Sequence, residues 1–82
     1  MLGYNKRVIC EGRTFLVFHD HKGYWAVEDK DVVNGVYHGK RKFLRDDLNE
    51  VIESIIQHVK TEKLMAEEGI SRMAAAERVL FG

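Results

Sequence analysis

The sequence predicts an α+β fold: an N-terminal antiparallel β-meander of three to four strands, packed by one long α-helix and followed by a short C-terminal helix. Three observations carry this. Residues 1–45 hold most of the aromatic residues, most of the Gly and the β-branched alternation. Residues 46–82 hold apolar side chains at spacings of three and four. Gly69 followed by Ser71 divides that helical half into a long and a short piece. One domain is expected over 1–82, with the meander in 1–43, the main helix in 44–68 and the short helix in 71–81.

Lys6 to Cys10 reads as a short strand, and Glu11-Gly12 as a turn. Arg13 to His19 reads as the second strand. Phe15, Val17 and His19 take one face and Thr14, Leu16 and Phe18 the other. The run Phe15-Leu16-Val17-Phe18 is apolar on both faces, so this strand is predicted to be central and covered on both sides. Asp20 to Gly23 reads as a four-residue hairpin loop, and Tyr24 to Asp29 as the third strand. Asn34-Gly35 is the strongest two-residue hairpin signal in the chain, predicted to join Lys30–Val33 to Val36–His38. Lys40-Arg41-Lys42-Phe43 is expected to lead into the main helix.

That helix is predicted to begin near Leu44 to Asp46, with Asp46 and Asp47 in a first turn where carboxylates suit the positive helix end. Leu48, Val51, Ile52, Ile55, Ile56 and Val59 form an apolar stripe suited to packing on a sheet. Gly69 is a helix-stopping residue, and Ser71 an N-cap for a helix over Arg72 to Leu80.

Size and composition exclude several classes of function. A folded chain of 82 residues exposes about 5,000 Å², which leaves one modest core and no room for a deep catalytic cavity. The charges balance at 13 against 13, with 45% hydrophobic residues, so a folded domain is expected. A single cysteine, Cys10, rules out an internal disulfide framework and fits a reducing, cytoplasmic compartment. No apolar run approaches the roughly 18 residues that a membrane span needs, so no membrane partner is expected.

The zero net charge hides an asymmetry. Residues 1–45 carry nine basic and five acidic residues, and residues 46–82 carry four basic and eight acidic. The first half is therefore +4 and the second −4. Lys40, Arg41 and Lys42, with Arg45 beyond them and Trp25 near them in sequence, are the candidate nucleic-acid-binding residues: the cations for phosphates, the indole for stacking on a base. Gly23-Tyr24-Trp25 opening a strand, then Gly39-Lys40-Arg41-Lys42-Phe43 and a helix, resembles the arm-type DNA-binding domain of tyrosine recombinases. That resemblance spans about residues 13–60 and implies a three-stranded sheet that enters a major groove. Glu28, Asp29 and Asp31 depart from it. Residues 64–71, ending in Gly69-Ile70-Ser71, are similar to the turn of a helix-turn-helix, which implies a recognition helix over Arg72 to Leu80. Arg78 stands where that motif needs an apolar residue.

Catalytic chemistry finds no matching pattern. Cys10 is the one thiol and has no Cys-His motif beside it, so it reads as a small apolar residue of the first strand. His19 and His21 lie one residue apart and lack a third ligand. No phosphate loop, nucleophile elbow or HExxH helix is present. No catalytic residue, metal site or cofactor is therefore expected.

The reading that follows is a small non-enzymatic protein-interaction domain that docks on a protein partner. Its size and lack of a catalytic set are similar to those of inhibitors and regulators carried by phages and mobile elements, the anti-CRISPR type among them. The candidate interface residues are Met73, Val79, Leu80 and Phe81 on the C-terminal helix and Glu50 and Glu53 on the main helix. Self-association is expected, if it occurs, as a homodimer through the C-terminal helices. A nucleic-acid-binding domain that uses the sheet and the Lys40–Lys42 stretch is the alternative.

Overall fold

The structure, a computed structural model, describes residues 4–81. Three strands form in immediate succession: β1 (Lys6–Cys10), β2 (Arg13–Asp20) and β3 (Gly23–Glu28). A single 3₁₀ turn at Asp29–Asp31 follows, then an irregular stretch, then β4 (Lys42–Arg45). Two helices complete the chain, α1 (Leu48–Glu68) and α2 (Arg72–Phe81). The four strands make one antiparallel sheet in the order β1-β2-β3-β4.

Both leading hairpins are tight. Cys10 pairs with Arg13 across Glu11 and Gly12, whose φ values of 52° and 76° give the left-handed pair that matches strand twist. Asp20 pairs with Gly23, so the second connection is two residues, His21-Lys22, rather than the expected four. The Asp20 carboxylate closes it by accepting from the Lys22 amide at 2.9 Å.

The alternation on β2 and β3 sorts the core into two layers. Phe15, Val17 and Ala26 face α1 and pack with Val51, Ile55 and Val59. Leu16, Phe18, Trp25 and Val27 face the other way, and Val32 and Tyr37 cover them. The two-sided apolar run thus marks a central strand, with helix on one face and irregular chain on the other. Burying each of these large side chains contributes about 1.5–3 kcal/mol.

Three further local expectations are corrected. Asn34 and Gly35 do form a left-handed turn, with φ values of 52° and 75°, but its arms share only the Val33–Val36 bridge. Val32 and Tyr37, the next residues outward, pack on the second core layer instead of pairing with each other. The fourth strand of the sheet is Lys42–Arg45, and the main helix starts at Leu48 rather than at 44–46. Asp46 and Asp47 therefore precede the helix. Asp47 is its N-cap in extended backbone, with its carbonyl accepting from the Val51 amide at 3.2 Å.

A bulge explains why β4 breaks the alternation. Tyr24 pairs with Arg45 and Ala26 with Lys42, so Phe43 and Leu44 together stand opposite the single Trp25. Phe43 takes a φ of +56°, which a side chain with a Cβ adopts at a cost of about 1–2 kcal/mol. Its ring turns onto the α1 side, edge-on to Phe15 with centroids 6.1 Å apart.

Gly69 closes α1 with a φ of 63° and donates its amide to the Met65 carbonyl at 3.0 Å. Ser71 caps α2, its hydroxyl accepting from the Ala74 amide at 3.3 Å. The short turn folds α2 back on α1. Neither helix is long and apolar enough to cross a membrane.

Candidate protein-interaction surface

The second helix has two unlike faces. Ala75 is fully buried against α1, where its small side chain lets the helices approach. Met73, Leu80 and Phe81 stay in solvent, at 75%, 56% and 85% exposure. A surface helix normally turns such residues inward. Of the predicted interface residues on α2, only Val79 is partly covered.

Val79 also joins the helix to the acidic side. It lines a groove of about 270 Å³ between the helices with Glu53, Ile56, Gln57 and Lys60. A second groove of about 280 Å³ continues from Val79 past Lys60, Lys63 and Leu64. Its charged rim is partly tied up, since Lys63 donates to Glu11 at 3.0 Å and stands 4.0 Å from Glu67. Glu50 and Glu53 are exposed on α1. Phe81 lines a separate shallow hollow with Ala74, Glu77 and Arg78. Of the six residues named from the sequence, the structure brings Val79 and Glu53 together in one groove, and the other four lie exposed on the same two helices.

The basic stretch is arranged differently. Arg41 donates from Nε to Asp20 at 2.7 Å and lies over the Trp25 ring at 5.5 Å. Lys42 stands 3.9 Å from Asp31. The Arg45 guanidinium donates to the Leu44 carbonyl at 2.8 Å. The Lys40 side chain is exposed, while its carbonyl accepts from the Tyr37 hydroxyl at 2.6 Å.

Trp25 is buried. It stacks on Phe18 at 4.5 Å, has Tyr37 beside it at 6.0 Å and donates Nε1–H to Asp20 at 3.0 Å. Its indole is thus used in the second core layer rather than offered to a base. The sheet face that a recombinase-like domain would place in a groove is the one covered by Val32 and Tyr37. Arg78, out of place for a helix-turn-helix, is exposed and paired with Glu68.

Asp20 gathers the hairpin and the basic stretch at one carboxylate. Desolvation opposes its ionisation, but hydrogen bonds from the Lys22 amide, Arg41 and Trp25 outweigh it and hold the group below the usual Asp range.

A wider concavity, of about 630 Å³, lies at the other end of the sheet and was not evident in the sequence. Its base is a clasp of four charged or titratable residues. Arg13 grips both oxygens of Glu28, at 3.1 and 2.6 Å, and reaches Glu62 on α1 at 2.8 Å. The other oxygen of Glu62 is 2.6 Å from His58 Nε2, and the His58 ring meets Phe43 edge-on at 5.3 Å. The Arg13 hydrogen bonds hold Glu28 below the usual carboxylate range. Burial holds the His58 pKa down, with Arg13 and Arg72 adding to the effect and Glu62 opposing it. Lys30 and Lys42 with Asp31 complete the charged lining, which balances at three cations and three carboxylates. The one local signal for this clasp was the spacing of His58 and Glu62, four residues apart on a helix.

Cys10 is partly buried against the first core layer. His19 stacks on Tyr24 at 4.1 Å.

The chain matches no known protein family, no curated protein and no solved structure.

Proposed function

We propose that this chain is a protein-interaction domain that acts by docking on a protein partner through α2 and the adjoining side of α1. The observation that carries the reading is the outer face of α2, where Met73, Leu80 and Phe81 remain exposed although the opposite face is already packed on α1. Removing such apolar surface from water favours association by about 25 cal/mol per Å² before the costs of association are counted. Apolar anchors beside charged residues match the make-up of interfaces: a dry centre and a polar rim. An inhibitor or regulator needs no more than this, since occupying a partner's surface blocks what else binds there.

Site-specific photocrosslinking tests it. A photoreactive side chain is placed at Met73, at Phe81 and, as a control, at the exposed Lys22, in the full chain within a lysate of its source cells. Discrete protein adducts at 73 and 81, absent at 22 and lost on Leu80→Ser, are expected. Equal labelling at all three positions removes the reading. Sedimentation of the purified chain identifies a homodimer as the docked state. A gel shift with DNA that weakens steeply between about 50 and 200 mM salt moves the function to nucleic acid.

A further inference from the structure

We infer that the partner presents a basic amphipathic helix, apolar on the side that meets α2 and carrying Lys or Arg along its flanks. The inference rests on the docking reading above and commits it to one chemistry.

The ion pairs decide the sign. On the helical layer, Glu62 is held by Arg13, Glu67 lies beside Lys63 and Glu68 is paired with Arg78. Among the described residues, five carboxylates from Asp46 onward form no ion pair: Asp46, Asp47, Glu50, Glu53 and Glu77. Over the same described residues, from Asp46 onward, Lys60 and Arg72 are the cations that form no ion pair. Three of those carboxylates adjoin the apolar residues. Glu53 shares a groove with Val79, Glu50 lies one turn before it on α1, and Glu77 lines a shallow hollow with Ala74, Arg78 and Phe81.

This arrangement disfavours a second copy as the occupant. A twofold contact through α2 brings together two surfaces that each carry Glu50, Glu53 and Glu77 without ion pairs, and two patches of like charge oppose association. A basic partner meets the same carboxylates with attraction.

The shape favours a helix. Ile56, Leu64 and Val79 lie in grooves between two packed helices, Leu80 is exposed on α2 next in sequence to Val79, and Phe81 lines the hollow with Glu77. Such a channel accepts apolar residues spaced i, i+3, i+4 and i+7 on a third helix. The flanks of that helix then lie over Glu50 and Glu53 on one side and Glu77 on the other.

The test uses the full ¹⁵N-labelled chain and two synthetic peptides of about 18 residues, long enough for helix in water. Both carry Leu at helical spacing on one face; one carries Lys on its flanks and the other Glu. The Lys peptide is expected to shift the amides of Glu50, Glu53, Glu77, Leu80 and Phe81 in a saturable way. Glu50→Lys, Glu53→Lys and Glu77→Lys together should weaken it about tenfold or more, a change of roughly 1.4 kcal/mol or more. The melting temperature should stay within a few degrees of the parent chain. Equal binding of the Glu peptide, shifts confined to the sheet, or no saturation of either peptide overturns the inference. Photocrosslinks at 73 and 81 with no Lys-peptide binding reject the basic helix and leave docking standing. Loss of both rejects docking itself.

Discussion

Arg13 and Glu28 are joined by two parallel hydrogen bonds across the β2–β3 pair, and the same guanidinium reaches Glu62 on α1. One side chain thus ties the sheet to the helix at the end opposite the second hairpin. Both partners are mostly covered, so truncating Arg13 leaves two carboxylates facing each other with reduced access to water. Arg13→Met should cost about 1–3 kcal/mol, between the values for exposed and buried pairs. Urea unfolding measures it. A loss under about 0.5 kcal/mol, the usual range for plain surface substitutions, would show that the clasp does not hold the layers together.

Gly23 marks the opposite end. Its φ is 121°, and a Cβ built there lies 2.6 Å from the Arg45 backbone oxygen. Both the conformation and the space therefore require glycine. Gly23→Ala should push β4 away from β3 and destabilise the fold by about 2 kcal/mol or more. Hydrogen exchange distinguishes this from general weakening: the amides of β4 should lose protection before those of β1 and β2.

Acidification should destabilise the fold in two stages. His58 is harder to protonate when folded than at its ordinary pKa of 6.5, because burial disfavours its charged form. Its contribution to stability is full above that value and declines as pH falls through it toward the folded pKa. Glu28 and Asp20 are held below their ordinary values of 4.5 and 3.8, so their contribution is present above those values and is lost on further acidification. The melting temperature should begin to fall below about pH 6.5 and fall again below about pH 4.5. His58→Gln should remove the first decline and spare the second. An unchanged upper slope in that variant would place its cause elsewhere.

The parts of the fold that were legible have short-range causes. Phe15 to Phe18 is apolar at every position, which only a strand covered on both faces tolerates. The stripe from Leu48 to Val59 and the pair Gly69 and Ser71 define their helices within a few residues. The hidden parts depend on contacts distant in sequence. β4 has four residues, and the bulge at Phe43 and Leu44 removes the alternation that would reveal it. Asn34-Gly35 specifies a turn, but whether its arms pair is decided by the packing of Val32 and Tyr37. Arg13, Glu28 and Glu62 lie on three elements and become a unit only when β2, β3 and α1 meet. On the candidate surface, the grouping of Met73, Leu80 and Phe81 on one short helix followed from the Gly69-Ser71 break and the pattern after it. The burial of Trp25 had no such local sign, since its cover comes from a stretch with no regular structure.

Trp25 makes that cover measurable. It is the sole tryptophan, and Arg41 and Tyr37 lie against it. Arg41→Ala removes the guanidinium over the ring and its bond to Asp20. Emission should shift to the red, and acrylamide should quench it more strongly. An unchanged spectrum would mean that Val32 and Tyr37 alone keep water from the indole.

The Asn34–Gly35 turn also has a practical use. Two backbone hydrogen bonds, of 3.0 and 2.9 Å between Val33 and Val36, pin its base. Asn34 is exposed, and the turn belongs to the segment that covers the sheet face away from α1. Loop tips of this kind accept inserted residues better than paired or packed backbone does. A fluorophore or affinity tag grafted there leaves both core layers intact and the helical face unobstructed, so the chain can be tethered to a sensor with its docking surface turned outward.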